Sequence, residues 1–537
     1  MNKNHRKKRH LKCSKSRSQS VASERFGSDL ECPQKDSNAN TFYIKTSKVM
    51  GRYMVAGKDL PAGSVILSEL PLIVGPCNGS KVQCLGCYVT LEEEYDYTKC
   101  NCGWPICSST CPGIGHAYGH TEEECSVLKE SKSSRNFDYK DFNQFKENYN
   151  AVAPLRCLLL KETDPKKYEK ILTMENHNEI RKNIPELWHL NQTTVVDRMR
   201  NDWGLVEFSE DEIHSVCGIL EVNCFEVGHG MSIRGLYPSA FLMSHDCVPN
   251  TNHIDEENNF RLTVRASTDI LVNHPITLSY AYTLQGTLRR REYLLENKFF
   301  ECRCKRCADP CELGTYTSAL ICPKCNNGLV LSIDPLNNES SWTCNNKSTK
   351  PERRCPGYTV TAKSMQLLIS RIQTEIDSID SNDVESMEKF LDKYRNVLHP
   401  THFLCLGVKL SLSQLYGKIT GYLLHELPDD LLYRKMEICR EILKIFDVVE
   451  PGLTKIRGVT LYELHAPLMI LTSRQFENQS ISKSILKQRL KEVVRYLEET
   501  SHILSYEPEN SSEGIMGKAA NDALLKIKDW GKIIGRI

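Results

Sequence analysis

No stretch of this sequence approaches the ~18 consecutive apolar residues of a membrane-spanning helix, so none is expected. Charge of one sign is also missing overall. Sixty-nine Lys and Arg balance 68 Asp and Glu, giving a formal net charge of +1. The molecule as a whole is therefore not built to be drawn to nucleic acid, and no direct, specific DNA binding is expected. The opening residues lack the apolar run of a secretory signal. Acidic residues are absent from residues 1–17, which hold Lys3, Arg6, Lys7, Lys8, Arg9, Lys12, Lys15 and Arg17. Residues 18–40 lack periodicity, so 1–40 reads as one basic, disordered tail. Such a tail serves as a nuclear-import signal, as a loose nucleic-acid contact, or as solvated chain with no dedicated role. Aliphatic residues are scarce from 84 to 125, too few for a conventional core.

Against these absences stand 537 residues, long for one core, so two or three structural units are expected. Cysteine is plentiful, at 24. A reducing compartment and short Cys–Cys spacings favour metal over disulfides, and the expected location is cytoplasm, nucleus or both. From 41 to 76, apolar stretches alternate with turn signals. Residues 48–56 read as strand, turn, strand, and Leu60-Pro61-Ala62-Gly63 is a turn before a strand at 64–67. Residues 138–216 look mostly helical, with Pro185 tolerated in a first turn. Short β-like runs return between about 217 and 300, including 261–265 and 276–280. From Thr361 the pattern is helical, with Met365, Leu367, Leu368, Ile372 and Ile376 as one apolar stripe. Further helices are expected over roughly 403–424, 430–449 and 482–504, suggesting helical hairpins without a clean fixed period.

Cys84-Leu85-Gly86-Cys87 is a metal knuckle, two thiolates brought close by a tight turn. Cys100, Cys102, Cys107, Cys111, His120 and Cys125 follow. Eight soft ligands suit two tetrahedral Zn²⁺ ions with no open position, hence a structural role. Binding would supply folding energy that this apolar-poor segment lacks. The competing reading for any one thiol is a buried free cysteine, and Cys102, in a tight Cys-x-Cys, is the more open to it. His116 competes with His120, which is favoured because it lies closer to Cys125. The run resembles a MYND zinc finger. That resemblance implies one site from Cys84, Cys87, Cys107 and Cys111 and another from Cys100, Cys102, His120 and Cys125. Cys-x-Cys and the four residues between His120 and Cys125 depart from the usual spacing. Fingers of this family serve protein interaction, often with proline-rich peptides; a purely structural module fits the spacing equally well.

Cys302-Arg303-Cys304-Lys305-Arg306-Cys307 supplies three thiolates and needs a fourth ligand for a closed site. Upstream, Met243-Ser244-His245-Asp246-Cys247-Val248-Pro249-Asn250 resembles the Asn-His-Ser-Cys-x-Pro-Asn signature of SET domains. In SET and MYND proteins the signature cysteine completes the post-SET zinc site, which implies Cys247 with Cys302, Cys304 and Cys307. The resemblance covers most of 43–537, and the chain is identified as a member of the SET and MYND domain lysine methyltransferase family. It implies an α+β multidomain fold. A β-rich SET core (41–83 and 217–300) is interrupted by the MYND finger (84–125) and a helical insert (126–216). A post-SET zinc segment (301–320), an additional cysteine-rich segment (321–358) and an all-α, TPR-like C-terminal domain (359–537) follow. Cys322, Cys325, Cys344 and Cys355 look like an arthropod-type branch and could bind another zinc; free surface or core cysteines are the alternative. Three structural zinc ions are expected, four if this set also converges.

The resemblance implies methyl transfer from S-adenosylmethionine to a lysine amine. The partner is a protein substrate or peptide, a histone among the candidates, and the chain is expected to be monomeric. Tyr280 matches the catalytic tyrosine; read alone, it is a core aromatic in a strand. Phe300 matches the aromatic that stacks on adenine. Gly51, Arg52, Asn223, Ser244 and His245 match cofactor-contacting positions. Three departures stand out. Gly51-Arg52-Tyr53 replaces Gly-x-Gly, and tyrosine lacks glycine's easy access to positive φ. Ser244 replaces an asparagine and has no amide donor. Asn273-His274-Pro275 replaces Gly-Glu-Glu before the tyrosine-bearing strand. Two hypotheses follow: an active protein-lysine methyltransferase, or a protein-interaction scaffold with a degenerate core.

Overall fold

A computed structural model describes residues 41–48, 50–92, 97–131, 145–325, 327–348, 350 and 354–534. The basic tail at 1–40 lies outside the described residues. The chain divides into two compact units. One holds residues 65–242 and 253–264; the other holds 41–64, 243–252 and 265 onward. Among the described residues, no helix is long and apolar enough to cross a membrane. The architecture is α+β, with a sheet-rich N-terminal half, cysteine clusters and a helical C-terminal region.

In the first unit, Ile233–Leu236 is the buried centre of a three-stranded antiparallel sheet, flanked by Ile73–Pro76 and Phe225–Val227. Helix Val152–Thr163 packs straight onto this sheet. A side chain on Gly75 would stand 2.8 Å from Ala153 Cβ, so glycine is what permits the approach. The described part of the expected helical stretch is helical through Val152–Thr163, Pro165–Leu172, Pro185–Asn191 and Glu210–Asn223. Pro185 holds a first-turn position, where its missing N–H costs nothing. Residues 84–125, too poor in aliphatics for a conventional core, join a core shared with the following helices. Trp104 is fully buried, with ring centroids 4.8 Å from Phe145, 5.3 Å from Tyr149 and 6.2 Å from Trp203. One large aromatic does the work of several aliphatics.

In the second unit, Phe42–Ser47 and Gly51–Ala56 form an antiparallel hairpin. The 273–276 segment runs beside the second strand, through Asn273 N to Ala56 O (2.9 Å), Ala56 N to His274 O (2.9 Å) and Ile276 N to Met54 O (2.9 Å). Asn273 takes φ +67°, a conformation asparagine tolerates better than most residues, so replacing glycine there keeps the turn. Thr277–Leu278 then pairs in parallel with Ser244–His245.

A small antiparallel sheet of Leu320–Ile321, Leu329–Ser332, Trp342–Cys344 and Thr359–Val360 was not expected. Its strands are too short to show a period. It shares a core with helices Ala362–Ser378, Val384–Tyr394, Phe403–Leu415, Asp429–Val449, Lys455–Glu477 and Lys483–Leu504. Two details of the helical reading change. The buried stripe of Ala362–Ser378 is Met365, Ile372 and Ile376, with Ile369 partly buried beside it, while Leu367 is 53% exposed and Leu368 37%. The helix expected over 403–424 ends at Leu415. Gly417 and Gly421 turn the chain with positive φ, and the buried Lys435 ammonium donates to the carbonyls of Ser413 (2.8 Å) and Tyr416 (2.5 Å).

Candidate functional site

Four groups of ligand atoms converge, with all members of each group within 4.8 Å of one another. They are Cys84, Cys87, Cys107 and Cys111; Cys100, Cys102, His120 and Cys125; Cys247, Cys302, Cys304 and Cys307; and Cys322, Cys325, Cys344 and Cys355. Sulfurs at ~2.3 Å from a tetrahedral zinc stand about 3.8 Å apart. The separations here are 3.7 Å for Cys84–Cys111, 3.6 Å for Cys87–Cys107, 3.6 Å for Cys100–Cys125 and 3.5 Å for Cys247–Cys307. In the fourth group, Cys322–Cys355 is 3.7 Å and Cys325–Cys344 is 3.8 Å. These separations match the edges of a zinc tetrahedron and lie far beyond the ~2.05 Å of a disulfide. The donor chemistry and spacing therefore fit structural zinc. His116 stands outside these groups, its Nδ1 accepting from Tyr118 N at 3.2 Å.

The helix that carries Cys125 begins at Thr121, whose hydroxyl accepts the Glu124 N–H at 3.3 Å. In a capping box the Glu124 side chain would return to the cap. Here it turns inward, with Oε1 2.8 Å from His120 Nδ1 and 3.0 Å from Arg156 Nη2. His120 Nδ1–H thus donates to a carboxylate, leaving Nε2 to face the thiolates, 3.4 Å from Cys102 Sγ. Arg156 completes the network through the carbonyls of Val74 (2.8 Å) and Leu85 (3.2 Å). Burial pushes the Glu124 carboxyl up, but Arg156 and His120 outweigh it and hold it below its ordinary range. Sequence reasoning missed Glu124 and Arg156. The available signal was an arginine inside the apolar run 152–160.

The Cys247 group has a second buried support. Arg290, Arg306 and Glu312 are each no more than 1% exposed. Arg290 donates to Glu312 Oε2 at 2.8 Å and to Cys247 Sγ at 3.3 Å. Arg306 donates to Glu312 Oε2 at 3.2 Å, Thr283 O at 2.7 Å and Cys247 O at 3.2 Å. Two guanidinium charges beside four thiolates offset their mutual repulsion.

Tyr280 follows the Thr277–Leu278 strand and does not lie within it. Its hydroxyl donates to Met243 O at 2.5 Å, and burial pushes its pKa up, so the phenol stays protonated. Its backbone N–H donates to His245 Nδ1 at 3.0 Å. Phe300 meets Tyr280 edge to face, with centroids 6.3 Å apart at 86°, and lies 5.8 Å from His245. Burial holds His245 neutral, its pKa down to about 4. Next in the chain, Ser244 Oγ is buried without a hydrogen-bond partner, an open polar group of the sort a bound ligand satisfies.

Gly51 begins its strand with φ +62°, and no heavy atom lies within 4 Å of where a Cβ would be. Conformation, and not space, requires glycine there. Tyr53 is paired with Lys45 in the hairpin and needs no positive φ, so this backbone does not depend on a second glycine. Arg52 is exposed. Asn223 belongs to the first unit, where its amide donates to Glu175 O and Ile219 O, each at 2.8 Å.

Residues 51–281 match the SET domain family. The chain is 28% identical over 309 residues to the SET domain-containing protein SmydA-8, isoform A, of Drosophila melanogaster, covering 56% of this chain and 63% of that protein. It is 26% identical to the histone-lysine N-methyltransferase ASHR1 of Arabidopsis thaliana, covering 48% and 53% of the two chains. It is 26% identical to the human histone-lysine N-methyltransferase SMYD3, covering 48% and 59%. The chain thus spans less than two thirds of the length of each of these relatives. Residues 51–281 are thus similar to the SET domain, and the chain is similar in part to proteins named as SET- and MYND-domain proteins and as histone-lysine N-methyltransferases.

Proposed function

We propose that this chain is an S-adenosylmethionine-dependent protein-lysine N-methyltransferase acting on a histone or another protein. The observation that carries the reading is the aromatic cluster of Tyr280, His245 and Phe300 beside the unpartnered Ser244 hydroxyl, with Ser244, His245 and Tyr280 inside the segment that matches the SET domain. S-adenosylmethionine supplies an electrophilic methyl group when bound. Gly51, Arg52, Ser244, His245 and Phe300, all of the second unit, are the residues we assign to holding it. Tyr280 is the catalytic residue. A phenol kept protonated by burial is no base at neutral pH; its role is to fix the position of the lysine amine with its oxygen. The amine must arrive neutral, and an apolar surround favours that form.

Zinc at the four clusters would be structural, since each offers four ligands and leaves no open position. We assign residues 84–125 to a MYND-type finger that receives a protein or peptide, and the C-terminal helices to a TPR-like domain. We assign the chain to an arthropod-type branch on the set Cys322, Cys325, Cys344 and Cys355. We further propose a monomer that works in the nucleus, the cytoplasm or both.

The test is incubation of the purified, zinc-loaded chain with labelled cofactor and a panel of histones and cell proteins. Label on lysine is expected, reduced on the order of 100-fold by Tyr280→Phe, as for a reactant held slightly out of place. Saturable cofactor binding without any lysine labelling would instead favour the interaction scaffold.

A further inference from the structure

The even charge balance of the whole chain conceals a local asymmetry in the second unit. Two loops, 322–328 and 344–357, carry the fourth cysteine group. Together they hold Lys324, Lys347, Lys350, Arg353 and Arg354 against a single acid, Glu352. Asparagine stands at 326, 327, 345 and 346, and neither loop contains an aromatic residue, valine, leucine, isoleucine or methionine.

The ligand geometry joins the two loops. Cys322 Sγ lies 3.7 Å from Cys355 Sγ, and Cys325 Sγ lies 3.8 Å from Cys344 Sγ, so each contact links one loop to the other. Asn346 sits at the junction, its side-chain amide donating to Cys325 Sγ at 3.6 Å and its backbone N–H to Cys344 Sγ at 3.4 Å. Lys324 precedes Cys325, Arg354 precedes Cys355 and Lys347 follows Asn346, so three cations flank the groups in contact. The Arg354 backbone N–H donates to Lys350 O at 3.1 Å, which ties Lys350 to the same turn of chain. Lys324, Lys347, Lys350 and Arg354 are exposed, and among the described residues none of them has a carboxylate partner. The acids Asp334 and Glu339 belong to the turn between strands Leu329–Ser332 and Trp342–Cys344. Those strands pair Val330 with Cys344 and Ser332 with Trp342, so that turn leaves the sheet at the end away from the ligands.

Cations gathered this way raise the local positive potential and attract an anion. An acidic protein surface would bind through buried aromatic or apolar anchors, which these loops lack. Single-stranded nucleic acid would stack its bases on aromatic side chains, which they also lack. A duplex backbone needs neither, because Lys, Arg and Asn donors hold phosphates whatever the sequence. We infer that this face binds the phosphate backbone of duplex DNA without sequence preference, through Lys324, Lys347, Lys350 and Arg354. The inference rests on zinc at the fourth cysteine group, as proposed above.

Fluorescence anisotropy of the full, zinc-loaded chain with two short labelled DNA duplexes of unrelated sequence tests this, titrated at several salt concentrations. Equal affinity for both is expected, falling as salt rises. The cations of 1–17 would give the same signs, so the deciding comparison is with the full chain carrying Lys324→Gln, Lys347→Gln, Lys350→Gln and Arg354→Gln. Losing four phosphate contacts should make the slope of log K against log salt shallower by about 3 to 4. Cys355→Ser, which opens the junction between the loops, should weaken binding as well. Native mass spectrometry tells the two failures apart: a wild-type chain with three zinc ions fails the metal reading. Four zinc ions with an unaltered slope in the quadruple variant fail the DNA face. No binding of either duplex, or tighter binding of single strands or of polyglutamate, would each overturn the inference.

Discussion

His245 accepts the backbone N–H of Tyr280 through Nδ1 at 3.0 Å. Because Nδ1 accepts, the proton of the neutral ring sits on Nε2, which faces Cys247 Sγ at 3.2 Å. One imidazole therefore ties the backbone of the tyrosine proposed to be catalytic to a sulfur of the third cysteine group. The expected consequence is that His245→Ala lowers methyl transfer by about 10–100-fold, the usual effect of losing a group that orients a metal ligand. Full turnover by a folded His245→Ala chain would sever this link.

The four clusters predict four zinc ions per chain in native mass spectrometry. Cys355→Ser should reduce the count to three and loosen the sheet of 320–360, whose strands are too short to stand without support. The core formed with the C-terminal helices should persist, since Leu404, Leu412 and Leu432 are buried in a cluster drawn mainly from those helices. A wild-type count of three would remove the fourth site.

The cysteine spacings made much of this arrangement legible. Cys84-x-x-Cys87 and the 302–307 triplet announce metal in one dimension, because a tight turn joins the ligands. Cys247 lies 55 residues before Cys302, so only a resemblance could join them. What escaped was three-dimensional. The 320–360 sheet has strands of two to four residues, below the length at which alternation shows. Leu367 and Leu368 are as apolar as Ile369, and only the packing partners decide which leucines stay in water. Arg156 and Arg290 sit in helices where arginine is ordinarily solvated, and their burial depends on carboxylates at Glu124 and Glu312 that sequence distance conceals.

Glu312 gives a pH dependence of definite sign. Burial pushes its carboxyl up, but Arg290 and Arg306 prevail and bring it down to about 2 from an ordinary 4.5. The unfolded chain binds this proton at a higher pH than the folded one. The contribution to stability is therefore full above about pH 4.5 and is lost as pH falls through about 2. The size is about 3 kcal/mol. Thiolates also take up protons in acid, so the measurement is a comparison: urea unfolding of wild type and Glu312→Gln across the acid range. The variant should start less stable at neutral pH and fall less steeply; parallel curves would show that Glu312 contributes nothing.

Glu124 and Arg156 predict a coupling. Both are buried, 0% and 7% exposed, and each neutralises the other in the first unit. Arg156→Met strands a carboxylate and should cost about 3–5 kcal/mol, the penalty for breaking a buried pair from one side. Glu124→Gln strands the guanidinium instead, though its amide oxygen still accepts from His120 Nδ1. Zinc at the Cys100 group should then weaken modestly, by tenfold or less against the 10–100-fold usual for losing such a partner outright. The double variant removes both charges and should cost clearly less than the two single losses combined. Chemical denaturation of the four proteins closes this cycle. Strictly additive losses would mean that the two charges do not act on one another.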